Sequence, residues 1–414
     1  MIVSSADPES EAYRGYCLEH VAAFYDVVLI SGAEPTWEAR FITDHALADP
    51  VDEVALAAAG QALSARHQLS GVMTWFEDYL VPVARLARLL GLPTSDPTSM
   101  QAARNKAVGR RLFAQHQVPS AESISVSTLQ EATLAAETIG YPVVLKPAAH
   151  AASIGVIRVD SADDLPDGYS FAAAGASHGV ESQQVLVEEY LAGPEISVEC
   201  ATYQGRTLVV AVTRKSLGPE PHFEEIAHSV DAADPLLATV APVAAAAVAA
   251  LGITDGIQHV EMRLVDGQPR MIELNGRVGG DLIGLLVHRA TGISLPRAAA
   301  DIACGTAPDL TPDRAEAAAI ELLYPDTSGT LVARHFPGRA ADRAPWLDRL
   351  HWQRQVGDQL LLPQDGGDLD SSRIGFAITT GPTAAVARFR ADEVARALVI
   401  DVEPTAQPVA TVAV

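Results

Sequence analysis

The chain has 414 residues, 48% of them hydrophobic, and carries a formal net charge of −23. A chain of this length and apolar content can bury roughly two or three domain cores, which excludes intrinsic disorder as the expected state. The negative charge excludes nucleic acid and anionic membrane surfaces as expected partners, because both select for patches of lysine and arginine.

We expect a soluble, cytoplasmic protein. The N-terminal segment MIVSSADPES is acidic and lacks the apolar region of a secretory signal. The most apolar stretch, residues 236–253, is mostly alanine and contains Pro242, which is more typical of a buried helix than of a membrane span. Cys17, Cys200 and Cys304 are far apart, odd in number and without metal-ligand spacing, which favours a reducing compartment.

Residues 1–97 alternate strand and helix patterns. Residues 25–30 (YDVVLI) and 72–75 (VMTW) predict strands, and residues 77–90 predict a helix that Gly91 and Pro93 end. This alternation predicts an open α/β unit. No GxGxxG motif follows the first strand and no GxxxxGK[ST] motif occurs, so neither a dinucleotide site nor a P-loop is predicted.

The pattern of residues 99–304 predicts helices and strands, with a loop of small residues among them. One helix is predicted over residues 99–117, which contain the densest basic group of the chain, RNKAVGRR, and a second over residues 129–139. The strand predicted over residues 142–146 leads into AAHAASIG (148–155), a loop whose backbone can approach a ligand closely. The other predicted strands are residues 156–159, 184–188, 196–203 and 207–212, and further helices are predicted at residues 282–290 and 295–304.

Residues 259–280 (HVEMRLVDGQPRMIELNGRVGG) are the most informative segment, because they predict two strands joined by a tight turn. Alternate side chains of a strand share a face, so Glu273 and Asn275 are expected on one face, and Ile272 and Leu274 in the core.

The length of the turn decides whether Glu261 shares the face of Glu273. A two-residue type I′ turn at Asp266-Gly267 would put the two carboxylates on opposite faces. A three-residue loop, Val265-Asp266-Gly267, would make them diagonal neighbours on one face, and we expect that loop.

With that loop, one face of the predicted hairpin carries the carboxylates of Glu261 and Glu273 and the amide oxygen of Asn275, beside Arg277. Mg²⁺ prefers oxygen ligands of this kind and commonly shares them with the phosphates of a substrate. The pattern therefore predicts a nucleotide–magnesium site. The alternative for this segment alone is a solvated hairpin with ordinary surface charge.

Four features together resemble the ATP-grasp superfamily: Lys106, Lys146 with its small-residue loop, VEEYLAGPE (187–195), and the hairpin set. The resemblance runs from about Gln101 to Thr291. It implies an α/β (α+β) ATP-grasp fold with four parts. These are an N-terminal Rossmann-like domain (1–97), a lid subdomain with its leading helix (98–190), a large subdomain (191–310) and a C-terminal α+β extension (311–414).

The resemblance also implies a nucleotide site with ATP and Mg²⁺, for which Mn²⁺ is the alternative ion. Lys106, Lys146 and the loop at Ser153 would contact phosphates, and the backbone of Glu189 and Leu191 would contact adenine. Glu188 would face the adenine amino group, and Glu195 would accept hydrogen bonds from the ribose. The implied metal ligands are Glu261, Glu273 and Asn275.

Within the superfamily, ELNGRVGGDLI (273–283) and PHFEEIAH (221–228) are similar to L-amino acid ligases. This similarity implies a homodimer that joins two amino acids through an acyl phosphate and releases ADP and phosphate. The product is either an α-peptide or a side-chain-linked dipeptide such as a γ-glutamyl one. Arg277 would be the catalytic residue that stabilises developing charge, while His259 and His288 are assigned to packing or the surface. The implied substrate-binding residues are Glu225, His228, Gly279 and Gly280.

Three other functions remain open from the sequence. A biotin-carboxylase-like carboxylase would share the metal ligands and Arg277, but the continuation Gly-Arg-Val-Gly-Gly differs and no biotinyl-lysine module is evident. A non-catalytic nucleotide-binding regulator is the second alternative. A phosphotransferase is the third, although no domain with an obvious phospho-histidine follows.

Overall fold

The computed structural model describes residues 1–5, 7, 10–149, 154–177, 182–337, 344–362, 365, 367 and 369–404. Over these residues the chain has the mixed α/β architecture that the sequence predicts, with four sheets and helices packed on them. Among the described residues, no helix combines the length and apolarity that a membrane crossing requires.

The N-terminal part contains a parallel sheet in the order β1-β2-β3. The predicted strand at residues 72–75 runs beside β1, but it joins the sheet only through a bridge between Ile2 and Met73 among the described residues. The elements are β1 (Ile2–Val3), α1 (Glu11–Ala22), β2 (Val28–Ser31), β3 (Asp44–Leu47), α2 (Glu53–Arg66) and α3 (Leu80–Leu89).

The single helix predicted over residues 99–117 is wrong. The segment forms α4 (Pro97–Arg104) and α5 (Lys106–Gln115), separated by Asn105 in an extended conformation with φ −98° and ψ 101°. The side-chain oxygen of Asn105 accepts a hydrogen bond from the backbone N–H of Val108 at 3.1 Å, so Asn105 caps α5. The backbone N–H of Lys106 donates to the carbonyl of Ala148 at 2.9 Å, which fixes the start of α5.

Replacing Asn105 by alanine is expected to lower the free energy of unfolding by about 1 kcal/mol, because α5 loses its cap. Denaturant unfolding measures the change. Asn105→Asp keeps an acceptor at the same place and should stay within about 0.5 kcal/mol of the original chain. Equal stabilities for the alanine and aspartate variants would show that the cap does not contribute.

The second sheet is antiparallel, with strand order β4-β7-β5-β6. The predicted helix at residues 129–139 is confirmed with the same bounds and is capped by the Thr128 side chain. The elements are β4 (Ser123–Val126), α6 (Leu129–Ile139), β5 (Val143–Pro147), β6 (Ile157–Val159), α7 (Leu165–Ser177) and β7 (Val185–Glu189).

In the described part of the chain, the largest sheet has eight strands in the order β12-β11-β8-β9-β10-β13-β17-β15. A third small sheet has the order β16-β14-β18. The remaining strands are β8 (Glu195–Tyr203), β9 (Arg206–Leu217), β10 (Glu225–Asp231), β11 (Gly256–Val265), β12 (Gln268–Asn275), β13 (Ala317–Leu323), β14 (Gly329–His335), β15 (Leu347–Trp352), β16 (Gln359–Leu360), β17 (Gly375–Gly381) and β18 (Val399–Pro404). The remaining helices are α8 (Leu237–Ala250), α9 (Ile283–Thr291), α10 (Leu295–Ala303), α11 (Leu369–Ser372) and α12 (Ala384–Ala397).

The large sheet carries apolar side chains on both faces. One face packs against α8, with Val198, Val260 and Leu274 in that core. The other packs against α9 and α10, with Ile257 and Ile320 in that core. The polar residues of β11 and β12 therefore belong to a sheet that is packed on both faces. The four-part division of the chain stays a prediction.

Candidate functional site

The hairpin of β11 and β12 has a two-residue turn, so the predicted three-residue loop is wrong. Val265 pairs with Gln268, and the turn residues Asp266 and Gly267 have φ of 50° and 77°, which identifies a type I′ turn. That turn alone would separate the carboxylates of Glu261 and Glu273.

A β-bulge brings the two carboxylates back to one face. The register shifts between the Met262–Met271 pair and the Glu261–Glu273 pair, which leaves Ile272 as an extra residue of β12. Glu261 and Glu273 are therefore directly opposite each other, not diagonal neighbours as predicted, and both line one cavity.

The bulge also changes which side chain enters the core. Ile272, predicted in the core, lines the cavity instead, while Met271 is fully buried in the core beside Leu274. Leu274 is placed as predicted. The extra residue explains both positions, because it shifts the alternation of β12 by one residue.

The cavity has a volume of about 570 Å³ and lies between the second sheet and the large sheet. Gly279 lies behind its wall, packed against the His259 ring, and His228 is fully buried. The predicted contact at Ser153 lies outside the described residues. The predicted site residues that line the cavity are Lys106, Lys146, Glu188, Glu189, Leu191, Glu195, Glu225, Glu261, Glu273, Asn275, Arg277 and Gly280.

Three buried charged side chains form one end of the cavity. Glu188, only 3% exposed, accepts hydrogen bonds from Arg110 Nε at 2.7 Å and Nη2 at 2.8 Å, and pairs with Lys146 Nζ at 2.7 Å. Burial opposes the charge of Glu188, but the adjacent Arg110 and Lys146 outweigh it and lower the pKa of Glu188 to about 2. Both carboxylate oxygens of Glu188 therefore have cationic partners. The contact between Glu188 and the adenine amino group stays a prediction.

Sequence reasoning missed Arg110, although a signal was present. Arg110 lies four residues after Lys106, and side chains with that spacing share a face of a helix. Its guanidinium also donates to the backbone carbonyls of Met271 and Ile272, at 2.8 and 2.7 Å. Arg110 therefore joins α5 and β7 to the bulge of β12.

The segment from Glu189 to Glu195 is tied to the hairpin by two arginines. Glu189 pairs with Arg270 at 2.7 Å, so its side chain points to the hairpin. The carbonyl of Leu191 accepts from Arg263 Nη1 at 3.2 Å, and Arg263 Nε lies 3.1 Å from Glu195. These bonds hold the backbone that is predicted to meet adenine.

The opposed carboxylates have cationic neighbours. Lys106 Nζ lies 3.0 Å from Glu273, and Lys215 Nζ lies 3.4 Å from Glu261. In the amide orientation that satisfies its neighbours, the Asn275 nitrogen donates to Glu273 at 3.2 Å. Two carboxylates and an amide on one cavity wall form a donor set of hard oxygens, which fits Mg²⁺ or Mn²⁺.

His259 is buried, as its assignment to packing implies, but it also lines the cavity and contacts the predicted metal ligand Glu261. It is 4% exposed, with Nδ1 2.9 Å from Glu199 and Nε2 3.1 Å from Glu261. Burial opposes its charge, but the charges and hydrogen bonds of Glu199 and Glu261 outweigh burial and raise the pKa of His259 to about 9. The protonated ring therefore holds the carboxylate of Glu261 in place.

Lys215 of β9 is a second residue that the sequence did not single out. Its side chain is 1% exposed, and its ammonium contacts Glu225, Glu261 at 3.4 Å and Glu195 at 3.6 Å. Burial lowers its pKa, but these three carboxylates together raise it well above the ordinary value. Lys215 therefore links Glu261 of the hairpin to Glu195 and Glu225.

Glu225 and His228 share a face because of a second bulge. They belong to β10, where residues three apart normally point to opposite faces. The register shifts between Glu225 and Ala227, which leaves Ile226 as an extra residue. His228 Nε2 consequently lies 3.4 Å from Glu225 and 3.3 Å from Asp281.

Asp281 joins the cluster of Glu225 and His228, whereas Arg277 lies beside Asn275 of the hairpin through their shared neighbour Glu77. Asp281 pairs with Arg373 of the C-terminal part at 2.7 Å, and neither residue was predicted for the site. Arg277 pairs with Glu77 at 2.7 Å and lines the cavity. The arrangement is therefore a cavity with two buried cations at one end, opposed carboxylates next to them, and a Glu225–His228–Asp281 cluster at the other end.

Comparison with known proteins identifies related chains. The ATP-grasp N-terminal domain matches residues 25–94, and the ATP-grasp domain matches residues 139–284. The protein y4rH of Sinorhizobium fredii is 28% identical over 327 residues, 77% of this chain and 65% of that protein. Human carnosine synthase 1 is 28% identical over 261 residues, 59% of this chain and 32% of that protein. The chain thus spans less than two thirds of the length of either relative.

A solved structure is similar over nearly the whole chain. The L-amino acid ligase from Bacillus licheniformis superposes with a TM-score of 0.80 at 22% identity, covering 97% of this chain and 98% of that chain. This likeness shows the fold, and the ATP-grasp architecture predicted from the sequence is confirmed.

Proposed function

We propose that this chain, which belongs to the ATP-grasp superfamily, uses ATP to join a carboxylate to an amine through an acyl phosphate. One observation carries the proposal: charged side chains follow one another from Lys106, through the two opposed carboxylates of the hairpin, to Glu225. Lys106 contacts Glu273, Glu273 faces Glu261, and Lys215 bridges Glu261 to Glu225. In this proposal the phosphates bind at the Lys106 end of the series and the amine binds at the Glu225 end.

The triphosphate would lie against Lys106 and Lys146, whose ammonium groups neutralise phosphate oxygens. A divalent cation, Mg²⁺ or Mn²⁺, held by Glu261, Glu273 and Asn275 would supply further charge neutralisation and alignment of the phosphates. Arg110 and Glu188 hold Lys146 in position through their bonds behind it.

In the first step, a carboxylate oxygen of one substrate attacks the γ-phosphorus, the bond from that phosphorus to the β-phosphate oxygen breaks, and ADP leaves. Positioning and charge stabilisation account for most of the rate enhancement of such a step. In the second step, the amine attacks the acyl carbon and phosphate leaves. Arg277 would stabilise the oxyanion that forms there.

The amine must lose a proton during the second step. Burial raises the pKa of Glu225, but Lys215 and His228 outweigh burial and lower it, so Glu225 stays ionised and is a weak proton acceptor. A free amine with a pKa near 8 needs only a weak base. Glu225 is therefore our candidate acceptor, and the fully buried His228 positions it.

Amino acids are the proposed substrates. The names of the similar proteins, carnosine synthase and L-amino acid ligase, support this class. The product would be a dipeptide, linked through either an α-carboxylate or a side-chain carboxylate.

A panel of amino-acid pairs tests the proposal. The protein is incubated with ATP, Mg²⁺ and each pair, and ADP, phosphate and product mass are measured. We expect ADP to form with at least one pair, together with a product whose mass equals the two amino acids minus water. Bicarbonate-dependent ADP formation would support the carboxylase instead, and ATP binding without ADP formation across the panel would support the regulator.

A further inference from the structure

Arg14 differs from the other cations of the cavity in its partners. Six of the lysine and arginine side chains that line the cavity are ion-paired with Glu77, Glu188, Glu195, Glu273 or Asp281. Arg14, which lies on α1 and is half-buried, forms no ion pair with any described residue. Its guanidinium donates to the Gly279 carbonyl at 3.4 Å and lies 5.8 Å from the centre of the Phe76 ring.

The position of Arg14 is at the end of the cavity where the amine would enter. Gly279 follows Arg277, the proposed stabiliser of the oxyanion, by two residues. Tyr13, the neighbour of Arg14 on α1, bonds to Gln353 at 2.9 Å and to Arg373 at 3.4 Å. Arg14 therefore faces the same space as the Asp281–Arg373 pair.

We propose that Arg14 binds a free carboxylate of the amine-donating substrate, so that this substrate is an amino acid and not a simple amine. The inference rests on the proposed ligase function and identifies the residue that recognises its second substrate. A carboxylate entering this end meets Glu225, Asp281 and the transferred phosphate, all of which repel it. Its binding requires a cation whose charge is not already balanced.

Arg14 meets this requirement better than Arg373 does. Arg373 is 5% exposed and bonds to Asp281 at 2.7 Å and to the Tyr324 hydroxyl at 2.9 Å. Its charge is balanced by Asp281, and its Nε and Nη1 groups already donate to protein partners. The planar guanidinium of Arg14 can donate two parallel hydrogen bonds to a carboxylate, while Glu225 receives the amine of the same molecule.

The test compares two amine donors in steady-state ADP formation. One is the best amino-acid donor of the substrate panel, and the other is the carboxamide of the same amino acid. Arg14→Gln is expected to raise KM for the amino acid about 10–100-fold, the size of a charge-assisted hydrogen bond, with kcat within about threefold. KM for the carboxamide is expected to change less than about twofold, because that donor has no charge for Arg14 to bind.

Two further variants control for structure and charge. Arg40→Gln removes an arginine of the same N-terminal part that pairs with exposed Glu11 at 2.6 Å outside the cavity, and its kinetics should match the original chain. Arg14→Lys keeps the charge but not the planar fork, so its KM for the amino acid should lie between those of the original chain and Arg14→Gln.

The outcomes separate the two proposals. If the original chain forms ADP with an amino-acid pair and Arg14→Gln changes KM equally for the amino acid and its carboxamide, the role of Arg14 is overturned and the ligase function stands. If the original chain forms no ADP with any pair, the ligase function itself fails and the inference fails with it.

Discussion

Replacing Glu273 by glutamine is expected to lower amino-acid-dependent ADP formation about 10²–10³-fold, the loss typical of removing one preorganised charge-stabilising group. Glutamine keeps the shape of the side chain and one oxygen, but it removes the charge that balances Lys106 at 3.0 Å and the charge offered to a divalent cation. Glu261→Gln should produce a loss of the same order, because the two carboxylates lie opposite each other in the hairpin.

The matched control for this prediction is Glu321→Gln. Glu321 lies on β13 of the same sheet and pairs with Arg388 at 2.8 Å, outside the cavity. Its replacement should leave ADP formation within about twofold, since it removes no group that contacts the nucleotide or the substrates. If Glu273→Gln formed ADP at the rate of the original chain, the assignment of the hairpin as the metal-binding element would be contradicted.

Replacing Glu188 by glutamine is expected to lower the free energy of unfolding by about 3–5 kcal/mol at neutral pH. The substitution leaves the buried guanidinium of Arg110 and the buried ammonium of Lys146 without their shared counter-charge. An uncompensated buried charge has a cost of this size.

The effect of Glu188→Gln should depend on pH in one direction. The pKa of Glu188 in the folded chain, about 2, is below its ordinary value of 4.5, so its carboxylate stabilises the fold fully above pH 4.5. That stabilisation is lost as pH falls from 4.5 towards 2. The difference in stability between the original chain and the variant should therefore be constant from about pH 6 to 8 and shrink below about pH 4.5.

Glu189→Gln is the control, because the neighbouring glutamate forms a more exposed pair with Arg270. The two side chains of that pair are 35% and 28% exposed, and such pairs contribute at most about 1 kcal/mol. Denaturant unfolding of both variants across the pH range separates the two glutamates. Equal effects at positions 188 and 189 would show that burial of the Glu188 cluster does not determine its contribution.

Much of the site could be predicted from residue types and spacing. Strand alternation placed Glu273 and Asn275 on one face and Leu274 in the core, and all three lie as predicted. Lys106 and Lys146 were singled out by resemblance, and the structure places both on the cavity wall. Their roles in binding ATP stay predictions.

Which side chains of two paired strands share a face could not be predicted, because β-bulges shift the register between the strands. The turn Asp266-Gly267 has the sequence of a type I′ turn and forms one, yet the extra residue Ile272 restores the shared face. Ile226 has the same effect for Glu225 and His228. Neither isoleucine differs in type from its apolar neighbours in the strand, so the sequence offers no local signal for the extra residue.

Residues that act through long-range contacts were also missed. Lys215 is the clearest case. It contacts Glu261, which lies 46 residues further along the chain. Arg14 reaches the cavity only because α1 packs beside the segment after β12. Contacts of this kind follow from the packing of the sheets, which a pattern of residue types does not contain.

The crystal structure of the chain with ADP and Mn²⁺, with the metal located by anomalous scattering, tests the central claim most directly. We expect a peak between the carboxylates of Glu261 and Glu273, about 2.0–2.3 Å from their oxygens, with the phosphates of ADP on its other side. A peak instead within the Glu225–His228–Asp281 cluster, with none at the hairpin, would contradict that claim.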